Sequence, residues 1–504
     1  MIYDSIFISF LLRLFNIAKQ SKLFAAAHML STAFSECFAA RAFRRFTESP
    51  RIEERYAHTS VFYGVINGVW GGIISLLRFV MRPFLGAAQG STLVRLAKTS
   101  AVFNFENILF GFILIIFIIP HGYWNNMYAL AGTLVVAGLY ALSLARGKKL
   151  GQNARGLWLS MLMFAVAVVL AVFVSDRAGD SLRVSVFFIT SFLLCAAVYG
   201  TLTDLKKFHK LTFFLFLTVI ITSLIGIVQN IVGVLPDASL TDLSLNSDMP
   251  GRVYSTLDNP NNFAEFLVLF LPFCGAFVLN LKNKYKKTMG IALLILPVLA
   301  LMYTYSRSGF LAFAASAVVF FVMYKPKAFP ILVLGAILMV PFLPESVMSR
   351  IMTIGNLRDS SSAYRIDIWT AVLLMMKNIW VTGTGLGPEA FKSIYPVYAE
   401  GLAAVAPHSH MLFMEVFVEM GILGIVTFFW LVINLVKGSV SAASQKLSDD
   451  VRIYGCAAAA SAFGIMVLGF AEYIWFYPRV MFAFFIAVGM GMAAVKLAGR
   501  NTEG

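Results

Sequence analysis

The chain has 504 residues, of which 59% are hydrophobic and only 13% charged, against roughly a quarter charged in a soluble domain. A mean hydropathy of +0.81 excludes an ordinary soluble enzyme and places most of the chain in lipid. The net charge of +15 would suit a nucleic-acid binder, but Lys and Arg fall in short patches between apolar runs, as in loops held on the cytoplasmic side of a membrane. No nucleic-acid partner is expected.

The first hundred residues carry twelve Lys/Arg against five Asp/Glu. Ile6 to Phe15 is apolar, but no basic stretch precedes it and no A-x-A site follows closely, so a cleavable signal peptide is not expected. Val61–Val80 contains Gly64, Gly68, Gly71 and Gly72, a pattern compatible with a re-entrant segment. The reading preferred for 1–100 is a basic interfacial segment of amphipathic helices on an anionic inner leaflet.

Beyond it, apolar runs of about 20 residues, enough to span the hydrocarbon as helix, recur at 101–120, 124–145, 157–175, 183–203, 211–234, 261–281, 288–305, 309–324, 327–343, 411–436, 453–476 and 479–497. The fold expected is an all-α polytopic membrane protein with about twelve transmembrane helices over 101–500. Alternate connections are rich in Lys and Arg (Lys206, Lys207 and Lys210; Lys282, Lys284 and Lys286, for example), whereas the others are nearly free of Lys and carry Asp176, Asp180, Asp237 and Asp258. The alternation places both termini in the cytoplasm and the chain in the cytoplasmic membrane as a multi-pass protein.

Two connections on the outer face are long: 235–260, and 344–410 between the ninth and tenth runs. A loop of this length is usually functional or disordered, and 344–410 is not low-complexity. Ala363–Met376 within it is apolar and periodic but too short to span, which predicts short helices lying at the interface.

Four outer-face positions carry the candidate chemistry: Arg252 in GRVYSTLDNPNN, Arg307 in the turn YSRSG, Arg365 in SSSAYRIDIW, and the pair His408 and His410 in APHSHMLFMEVFVEMG. Arginines near helix ends commonly snorkel to headgroups. Three isolated ones on a Lys-poor face are also suited to converge on a phosphorylated ligand, because guanidinium pairs bidentately with phosphate. A lone interfacial His is usually a satisfied polar group, whereas two within three residues at the end of a long loop point to a general base. Glu415 and Glu419 follow inside the tenth run, where carboxylates are expensive and tend to mark function. If that helix begins as early as residue 408, His408, Glu415 and Glu419 share one stripe and His410 faces away. Otherwise the two glutamates pair with an arginine or a backbone group elsewhere in the bundle.

Other features imply less. Gly383–Gly387 (GTGLG) follows a helix and lacks GK[ST], so it reads as a glycine turn and not a phosphate loop. The four cysteines, Cys37, Cys195, Cys274 and Cys456, are widely separated with no CxxC pair; they read as inert thiols. No cofactor and no metal site are expected.

The block TGTGLGPEAFKSIYP…PHSHMLFMEVFVEMGILGIVTFF resembles the signature of the O-antigen ligase and polymerase family of bacterial membrane glycosyltransferases, in which a glycine-rich turn precedes a His-Asn pair, a Leu, a Glu and Gly-Ile-Leu-Gly. RVYSTLDNPNNFAEFL is similar to the family's Arg and Asn-Pro-Asn stretch, YSRSGFLAF to its Ser-Arg turn and AYRIDIWTAVLLM to its Tyr-Arg helix. The motifs cover roughly 210–435, and the topology 101–500. The resemblance implies a metal-independent glycosyltransferase of the C type, with an external catalytic loop at 344–410. Its donor would be a polyprenyl-pyrophosphate-linked glycan, its acceptor a glycan or glycolipid, and membrane lipids its surroundings. It puts His410 at the catalytic-base position, and Arg252, Arg307 and Arg365 at positions that bind the pyrophosphate or support the site. Met411 stands where the family has Asn, so an amide that orients the imidazole is missing and either His408 or another group replaces it or the base is weakened. The rival readings are a flippase or transporter of lipid-linked oligosaccharide, for which midplane charges and internal repeats would be needed, and an inactive assembly factor of polysaccharide export.

Overall fold

A computed structural model describes residues 104–145, 155–233, 251–326, 329–355, 360–444 and 448–500 continuously, plus nine isolated positions between Gly64 and Pro83, all helical and exposed. The basic segment expected at 1–100, most of loop 235–260, and Cys37 lie outside the described residues. Every regular element among the described residues is helical. In lipid an apolar run has no water to satisfy its backbone, and an α-helix satisfies it within the segment.

The helices are α1 (Phe105–Ile118), α2 (Asn126–Ala145), α3 (Arg155–Phe173), α4 (Ala178–Thr201), α5 (Leu205–Val232), α6 (Pro260–Asn280), α7 (Lys284–Leu293), α8 (Ile295–Tyr303), α9 (Arg307–Tyr324), α10 (Phe329–Met339), α11 (Glu345–Met352), α12 (Ser360–Ile379), α13 (Pro388–Ile394), α14 (Leu412–Ser444), α15 (Asp449–Leu468) and α16 (Pro478–Arg500). Helices α11 to α13, with 3-10 turns at Tyr395–Val397 and Gly401–Val405, occupy the long connection. The short helices expected there are present, and the one read at 363–376 runs from Ser360 to Ile379.

The chain is an all-α polytopic membrane protein, and the structure adjusts three of the twelve expected spans. Nine spans among the described residues are long and apolar enough to cross, while α1 and α3 are shorter apolar helices. The ninth run forms only the eleven-residue α10 and a 3-10 turn, about 16 Å of helix at 1.5 Å per residue. The seventh is divided at Leu294 into α7 and α8. Pro297 explains the break, since it offers no N–H to the Leu293 carbonyl and its ring crowds it. The eleventh run ends at Leu468 instead of 476, and 469–477 is a connection.

The core is built on α15 and α16, which are buried along nearly their whole lengths. Small residues make this possible, because helices in lipid associate by close backbone approach and not by hydrophobic transfer. A Cβ on Gly489 would lie 2.8 Å from the Cys195 carbonyl of α4, and one on Gly455 would lie 2.7 Å from the Ala443 amide of α14. Cys195, Cys274 and Cys456 are buried free thiols.

Polar contacts gather at two ends. At the Lys-rich end Lys207 pairs with Glu106 at 2.8 Å, Lys496 donates to the Tyr199 carbonyl, and Arg452 donates to the Tyr324 carbonyl. At the opposite end Arg479, fully buried, donates to the carbonyls of Ile119 and Thr256 at 2.7 Å each and to the Tyr477 hydroxyl, with its guanidinium 4.9 Å from the Trp124 ring. One side chain thereby fastens α1, the connection before α6 and the start of α16.

Replacing Arg479 with Leu strands these buried acceptors, at a cost on the order of 3 kcal/mol. Thermal unfolding of the purified protein should drop by several degrees for Arg479→Leu and stay unchanged for the exposed Arg177→Leu.

Candidate functional site

The site at this end is organised on the turn between α8 and α9. Three successive carbonyls of the turn accept hydrogen bonds from other segments: Tyr303 from the Val253 amide at 3.0 Å, Thr304 from Arg252 Nε at 2.9 Å, and Tyr305 from Arg350 Nε at 3.2 Å. Arg307 leaves the same turn and donates to the Thr353 carbonyl at 3.2 Å and the Ser362 hydroxyl at 3.4 Å. Tyr305 holds a positive φ of 51°, costly for an L residue, and its hydroxyl is 3.0 Å from Ser346 Oγ. Helix α11 docks here through Val347 and Ile351.

Glu472 ties this cluster to α12. Its Oε1 accepts from Arg365 Nη2 at 2.7 Å and from Asn261 Nδ2 at 2.8 Å, while Asn261 Oδ1 accepts from Arg252 Nη2 at 2.7 Å. Burial pushes the Glu472 carboxyl above the usual carboxylate range, and Arg365 and Arg252 oppose the push. Burial, with Arg350, Arg365 and Arg307 adding to it and Glu472 opposing, lowers the Arg252 guanidinium to about 9. It remains cationic at neutral pH. Arg307, Arg350 and Arg365 are therefore all within electrostatic reach of Arg252.

The histidines sit beside this group. Helix α14 begins at Leu412, so the continuous stripe of His408, Glu415 and Glu419 does not form. His410 instead occupies a turn at φ 52° that brings its ring centroid 4.1 Å from that of His408. The His410 amide donates to His408 Nδ1 at 3.0 Å, which leaves the His408 proton on Nε2. The Ser409 amide donates to Glu415 Oε2 at 2.6 Å, and Trp369 Nε1 donates to the Ser409 carbonyl at 3.0 Å. His408 packs on Phe476 and Tyr473. Burial, and then the Arg365 charge, lower His410 to about 4; burial, His410 and Arg365 hold His408 well below its ordinary value. Both rings are neutral at pH 7.

The glycine turn rests on a break in α14. At Gly421 the backbone turns to φ 61°, ψ −158°, and a Cβ there would lie 2.2 Å from the Val381 carbonyl. The Ile422 amide, deprived of its helical partner, donates to the Trp380 carbonyl at 2.8 Å, and the freed carbonyls of Val418 and Glu419 accept from Thr384 and Gly385 at 2.7 and 3.1 Å. Glu419 accepts the Gly387 amide on one oxygen at 2.7 Å and the Tyr473 hydroxyl on the other at 3.0 Å. GTGLG is thus occupied by the broken helix. The two glutamates take backbone amides and a hydroxyl, in line with the expectation that they bond a backbone group in the bundle.

Four site residues went unnoticed in the sequence. Glu472 and Tyr473 were hidden inside an apparently continuous span, in GFAEYIWFYP, where aromatic hydropathy masks a loop. Arg350 sits in an ordinary amphipathic octamer. Asn261 lies within the quoted NPNN motif without a role; its place two residues after the capping Asn259 is the available signal.

The Arg365–Glu472 pair is mostly buried, with side chains 18% and 10% exposed. Arg365→Met or Glu472→Met leaves one buried charge without its partner, costing roughly 3–5 kcal/mol. The double replacement should recover part of the loss in unfolding temperature; strictly additive losses would show that the two side chains are not coupled.

No curated protein matches the chain. The family model described as O-antigen ligase matches residues 292–429, which run from the end of α7 through the Arg307 turn, α12, the glycine turn and the histidines to the middle of α14. The chain is thus a multi-pass membrane protein in which residues 292–429 are similar to the O-antigen ligase family.

Proposed function

We propose that the protein is a glycosyltransferase that moves a glycan from a polyprenyl-pyrophosphate-linked donor to a glycan or glycolipid acceptor at the outer face of the cytoplasmic membrane, with both termini cytoplasmic. The observation that carries this reading is the gathering of Arg252, Arg307 and Arg365 around Glu472, beside a neutral His410. Guanidinium groups gathered in this way present the forked donors that fit pyrophosphate.

In this reaction the donor pyrophosphate competes with Glu472 for Arg365. His410 takes the proton of the acceptor hydroxyl as the acceptor oxygen forms its bond to the anomeric carbon. The bond from that carbon to the pyrophosphate oxygen breaks with the electron pair leaving on the phosphate, and the arginines neutralise the charge that develops there. A single displacement inverts the anomeric centre. His408 keeps its proton on Nε2 and serves as the strut of the turn. His410 Nδ1 is buried without a hydrogen-bond partner, which fits Met411 standing in place of the family amide.

His410→Ala should lower transfer by at least about 100-fold, the usual scale of general-base catalysis, with the folded protein still in the membrane. His408→Ala should lower it less, and Met411→Asn should preserve or raise it. Transfer that survives removal of both histidines would end this reading.

Arg307→Lys keeps the charge but loses the planar fork, so transfer should fall by more than any loss of expression. Tolerance of Lys at Arg252, Arg307 and Arg365 together would refute phosphate binding by these groups. For pH, protonation removes the base, and His410 lies near 4 in the empty site. The acid limb of kcat/KM should therefore fall near pH 4 instead of 6.5, and that of kcat should lie higher, because bound pyrophosphate favours the imidazolium.

A further inference from the structure

His410 can take a proton from an acceptor hydroxyl only on a bare ring nitrogen that the hydroxyl can reach. Nδ1 is buried and has no hydrogen-bond partner, so Nε2 is left for the task. A neutral imidazole carries one proton, and a base acting through Nε2 therefore needs that proton on Nδ1. A buried N–H without an acceptor is unfavourable, so the turn has to supply one. Met411 stands where the family resemblance expects an amide.

Most acceptors around the ring are already engaged. His408 Nδ1 receives the His410 amide at 3.0 Å. The Ser409 carbonyl receives Trp369 Nε1 at 3.0 Å. The Met411 carbonyl receives Ser409 Oγ at 3.0 Å and the Glu415 amide at 2.9 Å. Glu419 has one oxygen on the Gly387 amide and the other on the Tyr473 hydroxyl. Glu415, in the first turn of α14, is different. It is fully buried and engages Oε2 alone, on the Ser409 amide at 2.6 Å, while its Oε1 is buried with no partner. One turn thus holds two unpaired buried atoms of complementary kind, a ring nitrogen and a carboxyl oxygen, and the Ser409 amide ties their residues together.

We infer that Glu415 is the positioning residue of the base: its Oε1 accepts Nδ1–H after a small turn of the His410 ring, which fixes the tautomer that leaves Nε2 bare. This rests on the function proposed above and deepens it, giving Glu415 the orienting role that Met411 leaves open. The proton of the acceptor hydroxyl goes to Nε2, and the carboxyl group beside Nδ1–H stabilises the imidazolium that forms. Glu415→Gln reverses the arrangement. The Ser409 amide still requires an oxygen, so the glutamine turns its NH2 towards Nδ1. Nδ1 then becomes an acceptor, and the ring proton moves to Nε2.

The test reads the His410 tautomer by nitrogen NMR of the purified full-length protein with isotope-labelled histidine at neutral pH, the signal being identified by its loss in His410→Ala. Wild type should carry the proton on Nδ1. Glu415→Gln should carry it on Nε2, and its kcat for transfer should fall at least about 100-fold with the donor KM unchanged. Tyr364, whose ring lies 6.0 Å from that of His410, is the rival partner, and Tyr364→Phe should keep the wild-type tautomer. A wild type with the proton on Nε2 overturns the inference, whether or not any variant folds. So does a Glu415→Gln protein that keeps the wild-type tautomer, or a Tyr364→Phe protein that loses it. A wild type with Nδ1–H that Glu415→Gln reverses, but that transfers no glycan, removes the proposed function and leaves the tautomer assignment standing.

Discussion

A single carboxylate oxygen holds the site together. Glu472 Oε1 accepts from Arg365 on α12 and from Asn261 on α6, and Asn261 passes the connection to Arg252 and so to the turn before α9. Three segments remote in sequence thereby converge, and four cations are gathered that would otherwise repel. Taking such charges out of water is expensive, and only a partner in good geometry offsets the cost. In the proposed reaction Glu472 is the counter-ion of the empty site, and the donor pyrophosphate takes its place.

The second constraint is the membrane itself. A backbone group without a partner is costly in hydrocarbon, so a helix cannot break there unless something else satisfies it. Helix α14 breaks at Gly421, and the glycine turn supplies the missing donors, which locks α14 to the connection that carries the histidines. Strain is concentrated near the same place. Among the described residues, those other than glycine with positive φ are Ser255, Asp258, Tyr305 and His410; the first three lie within six residues of Arg252 or Arg307, and the last is in the histidine turn. Ser255 is held by Gln229, whose amide receives its N–H and donates to its carbonyl. Strained backbone that the surroundings over-determine is a common companion of functional sites.

Much of this was legible in the sequence, for physical reasons. Apolar runs of spanning length, arginines isolated on a Lys-poor face and a histidine pair are signals of solvation cost, and cost is what composition records. The candidate arginines and both candidate histidines are read this way. Where polarity is carried by few atoms, or position depends on packing, sequence gave no purchase. Glu472 was lost in an aromatic stretch that reads as membrane, and the helix before it stops early. The tenth run, expected from 411, begins at Leu412 and does not extend back to 408, because the Ser409 amide turns to Glu415 and the His410 amide to His408, a local choice that hydropathy does not register. The ninth run is apolar enough to span but forms only α10 and a short turn.

The most direct measurement is a structure of the protein with a polyprenyl pyrophosphate bound. Phosphate density between Arg252, Arg307 and Arg365, with Glu472 drawn off Arg365 and the His410 ring facing the anomeric end, is the expected result. Phosphate found elsewhere, with the Arg365–Glu472 hydrogen bond unchanged at about 2.7 Å, would contradict it.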